Sequence, residues 1–145
     1  ASHISKRFPV SKFIELISLL DANFMIIWGD STEKKLAENI KTTLPDVTVC
    51  NKLDLKELIL LINQADLVIG PDTGPTHMAW ALNTPSITLF GPTPGYRNSY
   101  VTAINKTIDS NSIVNPMKIN QSDDSIKTID VNEVVKISQL LLELK

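Results

Sequence analysis

The run Leu67-Val68-Ile69-Gly70-Pro71-Asp72-Thr73-Gly74-Pro75-Thr76-His77-Met78-Ala79-Trp80-Ala81-Leu82 decides the fold. Its first four residues are a short, continuous apolar run that stops at glycine, the mark of a strand buried on both faces. Residues 73–82 then read as a helix entered through Gly74 and Pro75. Proline is welcome in a first helical turn, where a missing N–H costs nothing. Gly70 and Gly74 let the intervening turn stay tight and leave room beside it. Strand, turn and helix in that order are one half of a parallel crossover unit.

The same unit recurs on either side. Residues 24–28 are a short apolar run ending at Gly29 and Asp30, and Asp30 with Glu33 has the form of a capping box ahead of Leu36, Ala37 and Ile40. Leu44 and Pro45 close that helix. Residues 47–50 are a second β-prone run, and Asp54 with Glu57 repeats the cap ahead of Leu55, Leu58, Ile59 and Ile62. Residues 86–90 form a further strand that stops at Gly91 and Pro92. At the start, Phe13, Ile14, Leu16, Ile17 and Leu20 mark one face of a helix over residues 11–21, with Ser11 as its N-cap. Residues 100–104 offer another strand, residues 105–128 are polar and aperiodic and read as surface loop with short pieces of structure, and Asp130 with Glu133 caps a last helix striped by Val134, Ile137, Leu141 and Leu144. The alternation predicts an α/β fold, a Rossmann-like parallel sheet with right-handed crossovers and helices on both faces, in one domain over residues 1–145. Trp28, Trp80 and the helix face over residues 58–62 are expected in its core, since each lies in an apolar run.

Composition agrees and excludes much else. A chain of 145 residues, 43% hydrophobic and 21% charged, can bury a self-sufficient core without disulfide or metal staples. Fourteen basic against sixteen acidic side chains leave a net charge of −2, which supplies no field for nucleic acid. One cysteine, Cys50, and two histidines cannot build a disulfide framework or a thiolate zinc site. No apolar run approaches the roughly 20 residues of a membrane span, and residues 1–7 lack the apolar core of a secretory signal. The opening has no Met and reads as a loop running into a helix, so the chain is expected to be a fragment.

In open parallel sheets ligands sit beyond the carboxyl ends of the strands, and the turn from Gly70 to His77 is the richest such place. First-turn amides and the positive end of a helix dipole suit an anion, a diphosphate above all. Asp72 and Thr73 are equally good as plain helix caps. His77, one turn into the helix, projects near the same amides and suits either a phosphate or a structural hydrogen bond. Arg97, in the turn after the strand at residues 86–90, and Lys6 and Arg7 ahead of the first helix could meet anions or be merely solvated. Glu33 could complete its cap or accept two hydrogen bonds from a ribose diol. Neither a Ser-His-Asp order, a glycosidase carboxylate pair nor metal-ligand spacing is present, so no metal or cofactor is expected. The Walker and dinucleotide glycine fingerprints are absent too.

Asp72-Thr73-Gly74-Pro75-Thr76-His77, followed by Ala79, Ala81, Leu82, Asn83, Thr84 and Pro85 and then by Leu89-Phe90-Gly91-Pro92-Thr93, resembles the ADP-heptose:lipopolysaccharide heptosyltransferases. The paired pattern D-[ST]-G-x-x-H and [FY]-G-P-T is specific to that family, and the similarity runs from Lys6 to the last helix. Lys6-Arg7-Phe8-Pro9 and Trp28-Gly29 with Glu33 look more like the first heptosyltransferase, which extends the Kdo of the inner core, than the second. The resemblance implies the carboxyl-terminal, donor-binding half of a GT-B enzyme, inverting and metal-independent, with the acceptor half and its general base absent from this chain. It implies an ADP-heptose donor, a Kdo-lipid A acceptor reached through the other half, and a cytoplasmic place at the inner face of the inner membrane of a Gram-negative bacterium. By that resemblance Lys6 and the amides at Thr73 and Gly74 contact the diphosphate, with Lys6 stabilising the leaving group. Asp72 and His77 then lie near phosphate or sugar, Glu33 binds the ribose, Leu53 sits at the adenine, and Ser2 supplies a hydroxyl near the phosphates. The family's first donor-domain strand is expected upstream of Ala1. A GT-B transferase or epimerase using another nucleotide sugar, and a non-catalytic nucleotide-binding module, are the alternative readings.

Overall fold

The computed structural model describes residues 8–90, 101–109 and 129–143. α1 (Val10–Leu19) leads to β1 (Met25–Ile26), α2 (Ser31–Thr43), β2 (Thr48–Val49) and α3 (Leu55–Gln64). β3 (Val68–Pro71), α4 (Gly74–Ala81), β4 (Ser86–Phe90), β5 (Asn105–Asp109) and α5 (Val131–Glu143) follow. Every strand pairing is parallel: β1 lies beside β2, and β4 lies between β3 and β5. The α/β alternation expected from the sequence is present, with α1 packed between α2 and α5 and α3 packed on α4.

Local chemistry sets the boundaries. Asp54 with Glu57 closes the predicted capping box at 2.8 and 3.1 Å, whereas at Asp30 only half of the predicted box forms: Asp30 Oδ1 accepts the Glu33 N–H at 2.8 Å, and Glu33 reaches the Gly29 amide rather than that of Asp30. α1 departs from expectation. It begins one residue early at Val10, capped by Pro9, whose carbonyl takes the Lys12 and Phe13 amides at 3.0 and 3.1 Å, and Ser11 is not its cap. α5 begins where Asp130 Oδ1 accepts the Asn132 N–H at 2.9 Å.

The core joins Leu16 and Leu20 of α1 to Phe8, Ile87 and Leu89 of β4, Ile108 of β5, and Val134 and Leu141 of α5. β4 is buried along its whole length, as its unbroken apolar run requires. Three expectations fail here. Residues 105–109, read as loop because Asn105 and Lys106 are polar, form β5, while residues 100–104 precede it. The face at residues 58–62 is not buried as a unit: Ile62 is, whereas Ile59 and Leu60 are exposed on α3. Trp28 and Trp80 are half-buried, not core, because each sits at the sheet's carboxyl end or a helix flank. Among the described residues no helix is long and apolar enough to cross a membrane. The last residue of the predicted α5 stripe, Leu144, and residues 110–128, part of the stretch read from sequence as loop, lie outside the described residues.

Candidate functional site at the carboxyl end of β3

β3 runs one residue beyond the predicted Gly70, to Pro71, and delivers Asp72 into the turn and Thr73 to the N-cap of α4. Asp72 is buried, and a buried carboxylate needs a partner. One partner is His77 Nε2, 2.6 Å from Asp72 Oδ1. An ionised carboxylate only accepts, so the proton of this bond sits on Nε2 and the second ring nitrogen, Nδ1, is left for other contacts. The His77 side chain is 48% exposed against 5% for Asp72, so the pair holds a buried charge at one end and presents an imidazole to solvent at the other.

Thr76 fixes this geometry from beneath. Its buried hydroxyl lies 2.9 Å from both the Pro71 and Thr73 carbonyls and accepts the Thr73 N–H at 3.3 Å. The Cβ-less Gly70 sits over its methyl, where an added carbon would be 3.5 Å away. At Gly74 an added Cβ would meet nothing within 4 Å among the described residues, so none of them covers the first turn of α4 there. Pro75 has no N–H and the Thr73 N–H goes to Thr76 Oγ1, so what the helix start offers a ligand is the Gly74 amide and the dipole, with the His77 ring alongside.

Glu33, the third residue of α2, performs the capping job left open by its sequence. Its Oε1 accepts the Gly29 N–H at 2.9 Å, so close that an added carbon at Gly29 would lie 3.1 Å from that oxygen. Burial pushes the Glu33 pKa up, and the hydrogen bond it accepts from the Gly29 N–H pushes it down. Leu53 is half-buried in the segment between β2 and the Asp54 cap of α3. Glu33, Leu53 and the Asp72–Gly74 turn thus each follow the carboxyl end of a strand. Ser2, Lys6, Arg7 and Arg97 lie outside the described residues.

Sequence reasoning missed one feature. A groove of about 440 Å³ runs between α2 and the end of β2, lined among others by Trp28, Lys34, Lys41, Cys50 and Lys52. Trp28 Nε1 donates to the Cys50 carbonyl at 2.7 Å, and Lys34 Nζ stands 5.3 Å above the indole, a cation–π contact. Lys41 is tied to the Pro45 and Val47 carbonyls at 2.9 and 2.7 Å. Burial pushes the Cys50 thiol pKa up, which keeps it a poor nucleophile. The available signal was that Trp28 ends its apolar run, at the strand's carboxyl end, where side chains line a crevice.

Comparison with known proteins adds a family to this geometry. A model described as glycosyltransferase family 9 (heptosyltransferase) matches residues 1–128. Lipopolysaccharide heptosyltransferase 1 of Campylobacter coli is 37% identical over 147 residues, covering 94% of this chain and 43% of that protein. The enzyme of the same name from Salmonella typhimurium is 33% identical over 99 residues, 66% of this chain and 31% of its own. The chain therefore spans less than half the length of these curated relatives. The solved structure of E. coli heptosyltransferase WaaC with ADP superposes with a TM-score of 0.82 at 21% identity, over 97% of this chain and 42% of that one. E. coli ADP-heptose lps heptosyltransferase II does so at 0.83 and 20%, over 99% and 44%. At these identities the structural likeness is one of fold.

Proposed function

We propose, from the premise that the chain belongs to glycosyltransferase family 9, the heptosyltransferases, that it is the donor-binding domain of an enzyme transferring L-glycero-D-manno-heptose from ADP-heptose to Kdo-lipid A. The observation that carries this reading is the Asp72–His77 pair beside the first turn of α4, which no described residue covers at Gly74. A diphosphate there would meet the Gly74 amide and the helix dipole, and His77 Nδ1 would face its oxygens or the sugar hydroxyls according to its protonation. As ADP leaves, charge builds on the β-phosphate, and preorganised donors stabilise that charge without reorganising. In this reading Lys6 adds a cation to the same place, Ser2 a hydroxyl, Glu33 holds the ribose through the carboxylate that Gly29 orients, and Leu53 lies against the adenine. The solved relatives support the donor class, since two E. coli heptosyltransferase WaaC structures are of that enzyme with ADP and with ADP-2-deoxy-2-fluoro heptose. The acceptor, its general base and a seat at the cytoplasmic face of the inner membrane belong to the same proposal.

The test is calorimetric titration of the full-length protein with ADP and with UDP, beside Asp72→Ala and Glu33→Ala. ADP should bind and UDP should not, and Asp72→Ala should weaken ADP about tenfold or more, the scale of one hydrogen bond to a charged group. Equal affinity for ADP and UDP would remove the adenine assignment, and an Asp72→Ala variant that binds ADP as well as the parent would remove the site.

A further inference from the structure

The Asp72–His77 pair fixes the chemistry of the imidazole as well as its place. Asp72 Oδ1 stands 2.6 Å from Nε2, and a carboxylate only accepts, so a neutral ring carries its single proton on Nε2. Nδ1 is then an acceptor, on a side chain that is 48% exposed. Phosphate oxygens are acceptors too, and a neutral His77 meets them with a lone pair. The imidazolium has an N–H at both nitrogens and donates to Asp72 and to a phosphate at once.

The rest of the turn leaves that charge to the ring. Pro75 has no N–H, and the Thr73 N–H goes to Thr76 Oγ1 at 3.3 Å. The Thr73 and Thr76 hydroxyls both reach the Pro71 carbonyl, at 3.4 and 2.9 Å. There remain the Gly74 amide and a helix dipole equivalent to about half an elementary charge, against a diphosphate with a negative charge on each phosphate. α4 holds no ionisable side chain besides His77, and of the elements packed on it β3 and β4 hold none. α3 brings Lys56 and Glu57 in its first turn and Asp54 at its cap, all exposed, and Asp54 and Glu57 are taken up by each other's backbone in the capping box.

We propose that the diphosphate of the donor binds only the imidazolium form of His77, so that each donor molecule takes up one proton as it binds. This rests on the donor-site reading above and adds to it which form of the ring the donor selects. Asp72 is the positioning residue: its carboxylate, 5% exposed, holds the ring by Nε2 and directs the second N–H to the ligand. The sign follows from which form binds. Affinity is full where the ring is protonated and is lost as pH rises. The positive charge is also in place before the bond between sugar and phosphate breaks, ready for the charge that the leaving nucleotide develops.

Calorimetric titration of the full-length protein with ADP-heptose, from about pH 6 to about pH 9, tests this. The nucleotide sugar is the probe because both of its phosphates are esterified, whereas the terminal phosphate of ADP titrates by itself near about pH 6. The dissociation constant should rise about tenfold per pH unit once the free ring has lost its proton, the slope of a single linked proton. At the alkaline end, titrations in buffers of different ionisation enthalpy should count one proton taken up per donor bound. His77→Gln presents an amide to Asp72 and carries no charge. It should bind about tenfold more weakly or worse at the acid end, with no pH slope and no proton uptake, and its urea midpoint shows that it is folded. A parent protein that binds equally well throughout and takes up no proton would overturn the proposal, leaving Nδ1 to accept from a sugar hydroxyl. Uptake that persists in His77→Gln would overturn it by placing the proton on another group. Both of those results keep the donor site, whereas a protein that binds no ADP-heptose at any pH would overturn the donor-site reading and this proposal together.

Discussion

At the scale of single residues, the buried polar side chains are the ones with the least freedom to change. Asn105 is 2% exposed and reaches three residues: its amide nitrogen donates to the Thr84 carbonyl and to Ser86 Oγ, both at 2.8 Å, while its oxygen accepts from Thr102 Oγ1 at 2.8 Å. Thr84 in turn donates to the Ile62 carbonyl at 3.0 Å, which ties the end of α3 to the start of β4. Asn105→Ala leaves the Thr84 carbonyl and the Ser86 hydroxyl without this partner inside the protein. The expected loss is about 1–3 kcal/mol of unfolding free energy, read from urea denaturation. A value within a few tenths of a kcal/mol of the parent would show that water takes over those bonds. Nothing in the sequence announced this residue, because a polar side chain in an aperiodic stretch looks like loop until its partners, about twenty positions away in the chain, are brought beside it.

At the scale of elements, α4 separates stability from binding. Its Gly74 adopts no left-handed backbone angle, and a Cβ there would touch nothing within 4 Å among the described residues, so neither its backbone nor those neighbours require glycine. Gly74→Ala should raise stability by about 0.4–1 kcal/mol through the entropy of the unfolded chain. Under the donor-site reading the same methyl stands where a diphosphate approaches the Gly74 amide, so ADP affinity should fall while thermal stability rises. Both quantities come from one calorimeter, and an alanine variant that is more stable and binds ADP unchanged would place the diphosphate elsewhere. Gly29 makes the opposite case, since its missing Cβ is what lets the Glu33 carboxylate close on the backbone. Helix starts were legible here because capping is local: Asp30 with Glu33, and Asp54 with Glu57, lie three residues apart and need no distant partner. The α1 start was misread for the same reason in reverse, as Ser11 looks like a cap but the Pro9 carbonyl had already begun the helix.

At the scale of the molecule, one cluster links the first described residues to the last. Phe8, Leu16, Ile87, Ile108 and Leu141 share it, so α1, the sheet and α5 should unfold together. Leu141 is 1% exposed, and Leu141→Ala should cost about 2–5 kcal/mol. The half-buried Trp28 and Trp80, on elements remote in sequence from α5, report on that loss. Their fluorescence and the far-ultraviolet circular dichroism should shift to lower urea concentration by the same amount. Separate transitions would mean that the β1–β2 unit unfolds by itself.

What the sequence by itself determined is whatever depends on neighbours a few residues apart. That covers the alternation of short apolar strands with capped helices, the α/β class, and the turn that brings Asp72, Thr73 and Gly74 to the end of β3. The six-residue motif running to His77 was enough to point to a family. Tertiary structure alone decided which apolar residues are inside, since burial depends on what packs opposite: Ile62 is covered and Leu60, two positions earlier, is not. It alone made a strand of residues 105–109, by giving a polar asparagine three partners beside β4. It alone paired Asp72 with His77, because a helical turn had to form before a buried carboxylate and an exposed imidazole could meet at 2.6 Å.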